Sequence, residues 1–345
     1  MPLAVASPAV ERPIAELIPE PAALSRFGEA LRAVWPEVDH PSAPRLGVAV
    51  SGGADSTALL LLAAAALPGR VEAATIDHRL RAENAMEAQA VARLCERLGV
   101  PHATLPVSLD AGNVQDAARR ARYAALGEWA REQGISAVTS AHHADDQAET
   151  LIMRLNRASG VAGLAGARPR GRVPGFPALL LRPLLGWRRA ELGAIVAAAG
   201  IVPVDDPSNA DDRFDRARLR KSLAQSRWLD VAAIAQSAGH LADADAALNW
   251  SADLEFDARV KRDPFGMTYR PFAPRAIALR VMARIVAELD GEEPRGSAVA
   301  RVFDSLVEDR PASIGNLVAR TNAGGWSFAK APARRTAPKR TRPAD

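Results

Sequence analysis

The chain has 345 residues, 48% hydrophobic and 24% charged, the composition of a soluble globular protein long enough for about two or three domains. Its single cysteine, Cys95, excludes an intrachain disulfide framework, a four-cysteine zinc site and a cysteine-held cluster, and fits a reducing cytoplasm. No apolar run approaches the roughly 20 residues of a membrane span, and the first 20 residues lack the order of a signal peptide, so a cytoplasmic protein without a membrane partner is expected.

Residues 1–20, rich in proline and alanine, read as a poorly ordered extension. From 22 to 35, Leu24, Phe27, Leu31 and Val34 recur at helical spacing and predict an amphipathic helix packed on the domain after it. Strands and helices then alternate: strand 46–50, helix 55–67, strand 71–76, helix 83–98, strand 102–107, helix 114–132, strand 137–140, helix 145–156. That rhythm predicts an α/β domain, a parallel sheet with helices on both faces and ligands beyond the carboxyl ends of the strands. Residues 160–177 read as an exit loop and 179–182 as one more strand. Helical patterns come next at 189–199, 211–223, 231–259, 275–289 and 297–307, with a domain boundary near Trp228 and a smaller, mostly helical domain after it. The segment from Ala329 to the end holds Lys330, Arg334, Arg335, Lys339, Arg340 and Arg342 against Asp345, net +5, so the rest of a chain of net charge +4 is near −1. This tail is either an arm that neutralises phosphates or a solubilising terminus.

Three polar clusters fall at strand ends: Ser51-Gly52-Gly53-Ala54-Asp55-Ser56, Asp77-His78, and His142-His143. In the first, two glycines let backbone amides approach a ligand, Ser51 and Ser56 add hydroxyls, and the next helix directs its positive end at the loop. A phosphate or pyrophosphate would be held there, although a capped strand-to-helix turn has the same composition. No lysine follows as in GxxxxGK[ST], and GxGxxG is absent. Asp55 is either a cap or a ligand for Mg²⁺ bound against phosphates, and the metal role is preferred because a pyrophosphate needs its charge neutralised. The third cluster continues as Ala141-His142-His143-Ala144-Asp145-Asp146-Gln147-Ala148-Glu149-Thr150 and opens a helix with Asp146 and Glu149 on one face. Acids in a first turn also complement the helix dipole. Zinc is disfavoured because adjacent histidines do not easily face one ion.

The SGGADS loop, Ile76-Asp77-His78-Arg79-Leu80-Arg81, Ala121-Arg122-Tyr123, AHHADDQAET leading into Arg154-Leu155, Leu181-Arg182-Pro183-Leu184 and Asp205-Asp206-Pro207-Ser208-Asn209 together resemble the tRNA(Ile)-lysidine synthetases, a family of PP-loop (N-type) ATP pyrophosphatases. The likeness runs in order from Leu46 to Leu223, and a weaker one continues through 276–306 and Asn322-Ala323-Gly324-Gly325. It implies a Rossmann-like ATP pyrophosphatase domain at 41–228 behind the extension and helix of 1–40, a helical tRNA-contacting domain at 229–328 and a basic tail at 329–345. The implied reaction adenylates the C2 oxygen of the wobble cytidine of a tRNA(Ile) with a CAU anticodon, and free L-lysine then displaces AMP to leave lysidine. ATP and Mg²⁺ are the implied small-molecule requirements.

By the same resemblance, residues 51–56 bind ATP, Asp146 and Glu149 match an acidic pair that holds lysine, and Arg122 matches an arginine near the reacting centre. Asp55 and His142 join Arg122 as catalytic candidates, His142 as the base for the lysine amine. Arg216, Arg218 and Arg220 are expected to meet RNA phosphates, a solvated helix face being the alternative for any one of them. The chain departs from the family where Arg-Asn is usual, reading Arg216-Ala217, and carries Ala158 where glycine is commoner. A homodimer would be unsurprising. The rival readings are a tRNA thiolase of the same superfamily, which would need more cysteines than Cys95, GMP or asparagine synthetases, for which no glutaminase region is visible, and an inactive RNA-binding module.

Overall fold

The computed structural model describes residues 13–40, 44–77, 83–107, 114–204, 215–226 and 228–331. His78 to Arg81, Asp205 to Asn209, the first twelve residues and the basic tail beyond Ala331 lie outside them.

The first helix, α1 (Pro21–Val34), buries the stripe predicted from its spacing, with Phe27 and Leu31 at 0% and 1% exposure. The alternation after it is β1 (Leu46–Ala49), α2 (Ala54–Ala66), β2 (Val71–Asp77), α3 (Glu83–Arg97), β3 (His102–Pro106), α4 (Val114–Glu132), β4 (Ala137–Thr139) and α5 (Ala144–Leu155). Then come α6 (Val161–Leu164), β5 (Arg170–Arg172), β6 (Leu179–Leu181), α7 (Arg189–Ala198), α8 (Asp215–Gln225) and α9 (Val231–Arg259). The sheet order is β3-β2-β1-β4-β6-β5, parallel throughout except that β5 pairs antiparallel with β6 at the edge. Residues 160–177 are thus more than the loop expected from their glycines and prolines. The three-residue β5, Arg-Gly-Arg, has no apolar alternation to announce it and is specified by its partner β6.

Successive residues of a strand face opposite sides, and the sheet uses both. Leu46, Val48, Ala73, Ala137 and Leu181 pack against α1, α2, α3 and α7. Ala74, Val138 and Leu180 pack with Tyr123, Leu126 and Trp129 of α4 on the other face. Helix α2 is alanine- and leucine-rich all round, a pattern that belongs inside a protein, and Leu59–Leu62 are at most 1% exposed. Cys95 is fully buried in this core, and burial pushes its thiol up to about 12.

The chain leaves β1 toward β2 and β3 on one side and returns to β4 on the other. Between the carboxyl ends of β1 and β4 lies the crevice where such sheets bind ligands.

Chain contacts divide the protein into two units, Met1–Ala242 and Asp243–Asp345. The second contains, besides helices α10 (Arg275–Asp290) and α11 (Gly296–Val307), an antiparallel sheet that the helical reading did not resolve. Its strands are β7 (Val260–Asp263), β8 (Gly266–Tyr269), β9 (Ala312–Ile314), β10 (Leu317–Asn322) and β11 (Gly325–Lys330), in the order β7-β8-β11-β10-β9. Its core joins Tyr269, Ile285, Val302, Leu317 and Phe328, and Trp326 sits edge-on to Tyr269 and Phe303 at 6.0 and 5.3 Å. Among the described residues, no helix is long and apolar enough to cross a membrane.

Candidate active site

The loop after β1 is built by its own hydroxyls. Ser56, 7% exposed, donates its hydroxyl to the Gly53 carbonyl at 3.0 Å and accepts the Ser51 amide at 3.1 Å. Thr57 donates to the Gly52 carbonyl at 3.3 Å. Ser56 therefore holds the loop's shape, and Ser51, exposed and 3.1 Å from the Ser56 oxygen, is the hydroxyl at the loop's surface. Only Gly52 uses the left-handed region, at φ 84°, whereas Gly53 is an ordinary extended N-cap at φ −67°. The opening amides of α2, at Ala54, Asp55 and Ser56, have no acceptor within the helix and sit at its positive end. The Val204 amide donates to the Gly52 carbonyl at 2.9 Å, fastening the loop from outside.

Across the crevice, the turn from β4 into α5 carries the two histidines, and they face different surroundings. His143 is 1% exposed. Its Nε2 lies 3.3 Å from Asp55 Oδ2 and 3.4 Å from Asp146 Oδ2, and its Nδ1 lies 3.6 Å from Asp145 Oδ2. Burial opposes its charge, but Asp145, Asp55 and Asp146 outweigh burial and raise its pKa to about 9. Among the described residues Asp55 Oδ1 is buried without a hydrogen-bond partner. His142 shares a hydrogen bond with Ser140 (3.0 Å), and burial and the field of Arg182 lower its pKa to about 4.

Asp146 and Glu149 meet as their spacing predicts, and one cation already bridges them. Arg216 places Nε 2.7 Å from Glu149 Oε2 and Nη2 3.1 Å from Asp146 Oδ1. Arg220 adds Nε at 2.9 Å from Glu149 Oε1. Glu149 is 1% exposed, so its charge is compensated inside the protein by these two guanidiniums. Asp146 also accepts the His143 amide at 3.2 Å, closing the first turn of α5. Two of the three arginines expected to meet RNA phosphates thus sit on the acid pair, while Arg218 pairs with Asp215 on the exposed side of α8. Arg122 is exposed on α4, and Arg119, one turn earlier, is the α4 arginine whose field reaches His142. Among the described residues, no group of three or more His, Cys, Asp or Glu side chains is arranged to hold a metal.

A family model described as a PP-loop domain matches residues 25–227. The tRNA(Ile)-lysidine synthase of Novosphingobium aromaticivorans is 48% identical, covering 91% of this chain and 96% of that protein. That of Zymomonas mobilis is 39% identical over 93% and 97%. The chain belongs to the tRNA(Ile)-lysidine synthase family. The U34-tRNA thiolase NcsA from Methanococcus maripaludis shares the fold, with a TM-score of 0.51 at 15% identity over 64% of this chain and 80% of that one.

Several members of this candidate site in a chain of the lysidine-synthase family escape a reading of the sequence. His143 is visible there as half of a histidine pair, but which half faces Asp55 depends on where β4 ends, at Thr139. Arg182 stands out only as part of Leu-Arg-Pro-Leu. Arg188, whose Nε and Nη2 lie 3.2 and 3.1 Å from the two Asp145 oxygens, gives no local signal because its partner is 43 residues away.

Proposed function

We propose that the chain ligates free L-lysine to C2 of the wobble cytidine of a tRNA(Ile) with a CAU anticodon, using ATP. One observation carries the reading: His143 stands 3.3 Å from Asp55 of the phosphate loop and 3.4 Å from Asp146 of the acid pair, so nucleotide and amine are bound as neighbours. In the first step the C2 oxygen of the base attacks the α-phosphorus of ATP, the α–β anhydride breaks and pyrophosphate leaves. In the second, the ε-amine of lysine bonds to C2, loses a proton and expels AMP.

Residues 51–55, together with the opening amides of α2, hold the departing pyrophosphate by electrostatic complementarity, with Ser56 keeping the loop in shape. Asp55, with a buried orphan oxygen, fits Mg²⁺, which needs only one or two carboxylates besides phosphate oxygens. Bound there, the ion would neutralise phosphate charge. Arg122 remains the proposed partner of negative charge on the reacting base or phosphate.

Asp146 and Glu149 receive the lysine amine alongside Arg216 and Arg220, which stay beside them. Two carboxylates alone would favour the protonated, unreactive amine. Arg216 and Arg220 cancel that bias, because the four charges sum to zero. His142 is the proposed proton acceptor, unprotonated at neutral pH, and the arginines that depress it would also hold a nearby amine below its usual ~10.4. Arg218 is the α8 side chain proposed for RNA phosphate. A cytoplasmic location follows from a tRNA substrate, and a homodimer is a further proposal, checked by particle mass in light scattering.

The test is incubation with a CAU-anticodon tRNA(Ile), ATP and labelled lysine, then digestion to nucleosides. Labelled lysidine is expected, along with ATP–pyrophosphate exchange that requires the CAU anticodon. Salt-sensitive tRNA binding with neither product nor exchange would leave only an RNA-binding module. A thiolase reading would need sulfur chemistry from one buried thiol held near 12.

A further inference from the structure

Beside the acid pair lies a cavity of about 720 Å³, within the ~300–1,000 Å³ of small-molecule sites. Glu149 and Arg220 line it from α5 and α8, Arg188 and Arg189 from the start of α7, and Leu223, Leu229 and Val231 add apolar surface. It therefore presents acid, base and hydrocarbon together, the three characters of a free amino acid with a long aliphatic side chain.

Most charges around it are already matched. Glu149 holds Arg216 and Arg220, while Asp145 holds the Arg188 side chain and the Arg189 amide, the latter at 2.8 Å. The Arg189 side chain differs. Among the described residues no carboxylate pairs with it, and its Nε is buried with no hydrogen-bond partner. Ser226, also on the lining, has the second orphan, a buried Oγ without a partner among the described residues. Buried polar groups are nearly always satisfied. A half-buried guanidinium with an unmatched Nε and an unmatched hydroxyl on one cavity wall point to an acceptor, and a carboxylate is the one that balances the charge.

We propose that this cavity takes free lysine and that Arg189, aided by Ser226, is the specificity-determining residue that receives its α-carboxylate. The four-carbon stem runs along Leu223, Leu229 and Val231, and the ε-amine reaches Glu149, the member of the acid pair that lines the cavity. Asp230, whose Oδ1 caps α9 by accepting the Ala232 amide at 2.8 Å, supplies the negative charge for the α-ammonium. The inference rests on the lysine-ligating function proposed above and adds how the enzyme tells the free amino acid from other primary amines.

L-lysinamide, which keeps both amines but has a neutral amide in place of the carboxylate, is the probe. KM for lysine and for lysinamide is measured with CAU-anticodon tRNA(Ile) and ATP, for the wild type, Arg189→Gln and Ser226→Ala. The wild type is expected to show a KM for lysinamide about tenfold to a hundredfold above that for lysine. Arg189→Gln should raise the lysine KM by a similar factor while moving the lysinamide KM by less than about twofold; Ser226→Ala should do the same more weakly. Equal wild-type KM values, or an Arg189→Gln variant that weakens both substrates alike or neither, overturns the assignment. Pyrophosphate exchange in the wild type separates the two levels: its absence, with no lysidine, removes the function itself, whereas exchange with lost discrimination removes only the carboxylate site. If Arg189→Gln does not fold, the wild-type comparison and Ser226→Ala decide.

Discussion

His142 and His143 are adjacent and titrate in opposite directions. They lie beyond β4, where His143, the N-cap of α5, has extended backbone angles (φ −130°, ψ −179°), and one histidine meets Arg182 while the other meets Asp55, Asp145 and Asp146. For His142 the unfolded imidazole binds its proton near 6.5 and the folded one only near 4. The unfolded state therefore holds more protons across that interval, and stability falls as pH drops from about 6.5 to 4, by up to roughly 3 kcal/mol. Urea unfolding at pH 7 and 4.5 should show this loss in the wild type and about 2 kcal/mol less of it in His142→Asn. Equal acid sensitivity in both proteins would mean that the imidazole is not held neutral by the fold. At this scale residue types are legible in the sequence and partners are not. Asp146 and Glu149 can be found because helical spacing is a local property, whereas Arg216 and Arg220, expected to be free for phosphate, sit on Glu149 from 67 and 71 residues away. Nothing local encodes that pairing.

The loop between β1 and α2 shows what one element demands of its neighbours. A Cβ at Gly52 would lie 2.9 Å from Val204 Cγ2, and the backbone there is left-handed at φ 84°. Gly52→Ala should therefore lower stability by about 1–3 kcal/mol, and pyrophosphate exchange by at least about tenfold. In Gly52→Ala/Val204→Ala the steric share should return in thermal melts while the backbone share stays. Complete recovery would show that the left-handed conformation costs nothing here. The alternation of strands and helices in the first unit is readable because period-2 and period-3.6 patterns switch cleanly there. For α2 the predicted span 55–67 meets Ala54–Ala66. In the second unit the strands are three to six residues long and join through tight turns, as at Asn322 paired with Gly325. Runs that short carry too few alternations to declare themselves between long helical stretches.

Across the whole molecule, the positive charge is concentrated at one end. That basic segment starts later than composition alone suggests, because β11 continues to Lys330 and the Ala331 amide donates to the Asn316 carbonyl at 2.7 Å. A truncation at Ala329 cuts into the sheet. Removing 332–345 leaves β11 whole while deleting Arg334, Arg335, Lys339, Arg340 and Arg342. This variant should bind tRNA more weakly, and its log K against log salt should flatten by a little under one unit for each phosphate no longer neutralised. Unchanged affinity and slope would assign the segment to solubility alone.

In the order β7-β8-β11-β10-β9, the strand made last occupies the middle place. Until the ribosome has delivered it, β8 and β10 have no one between them, and the hydrophobic side chains of Trp326 and Phe328 are missing from the core they complete. The second unit must therefore assemble after translation of nearly its entire length. A premature stop just upstream of Gly325 would release a protein with an intact nucleotide fold attached to a half-built, adhesive sheet.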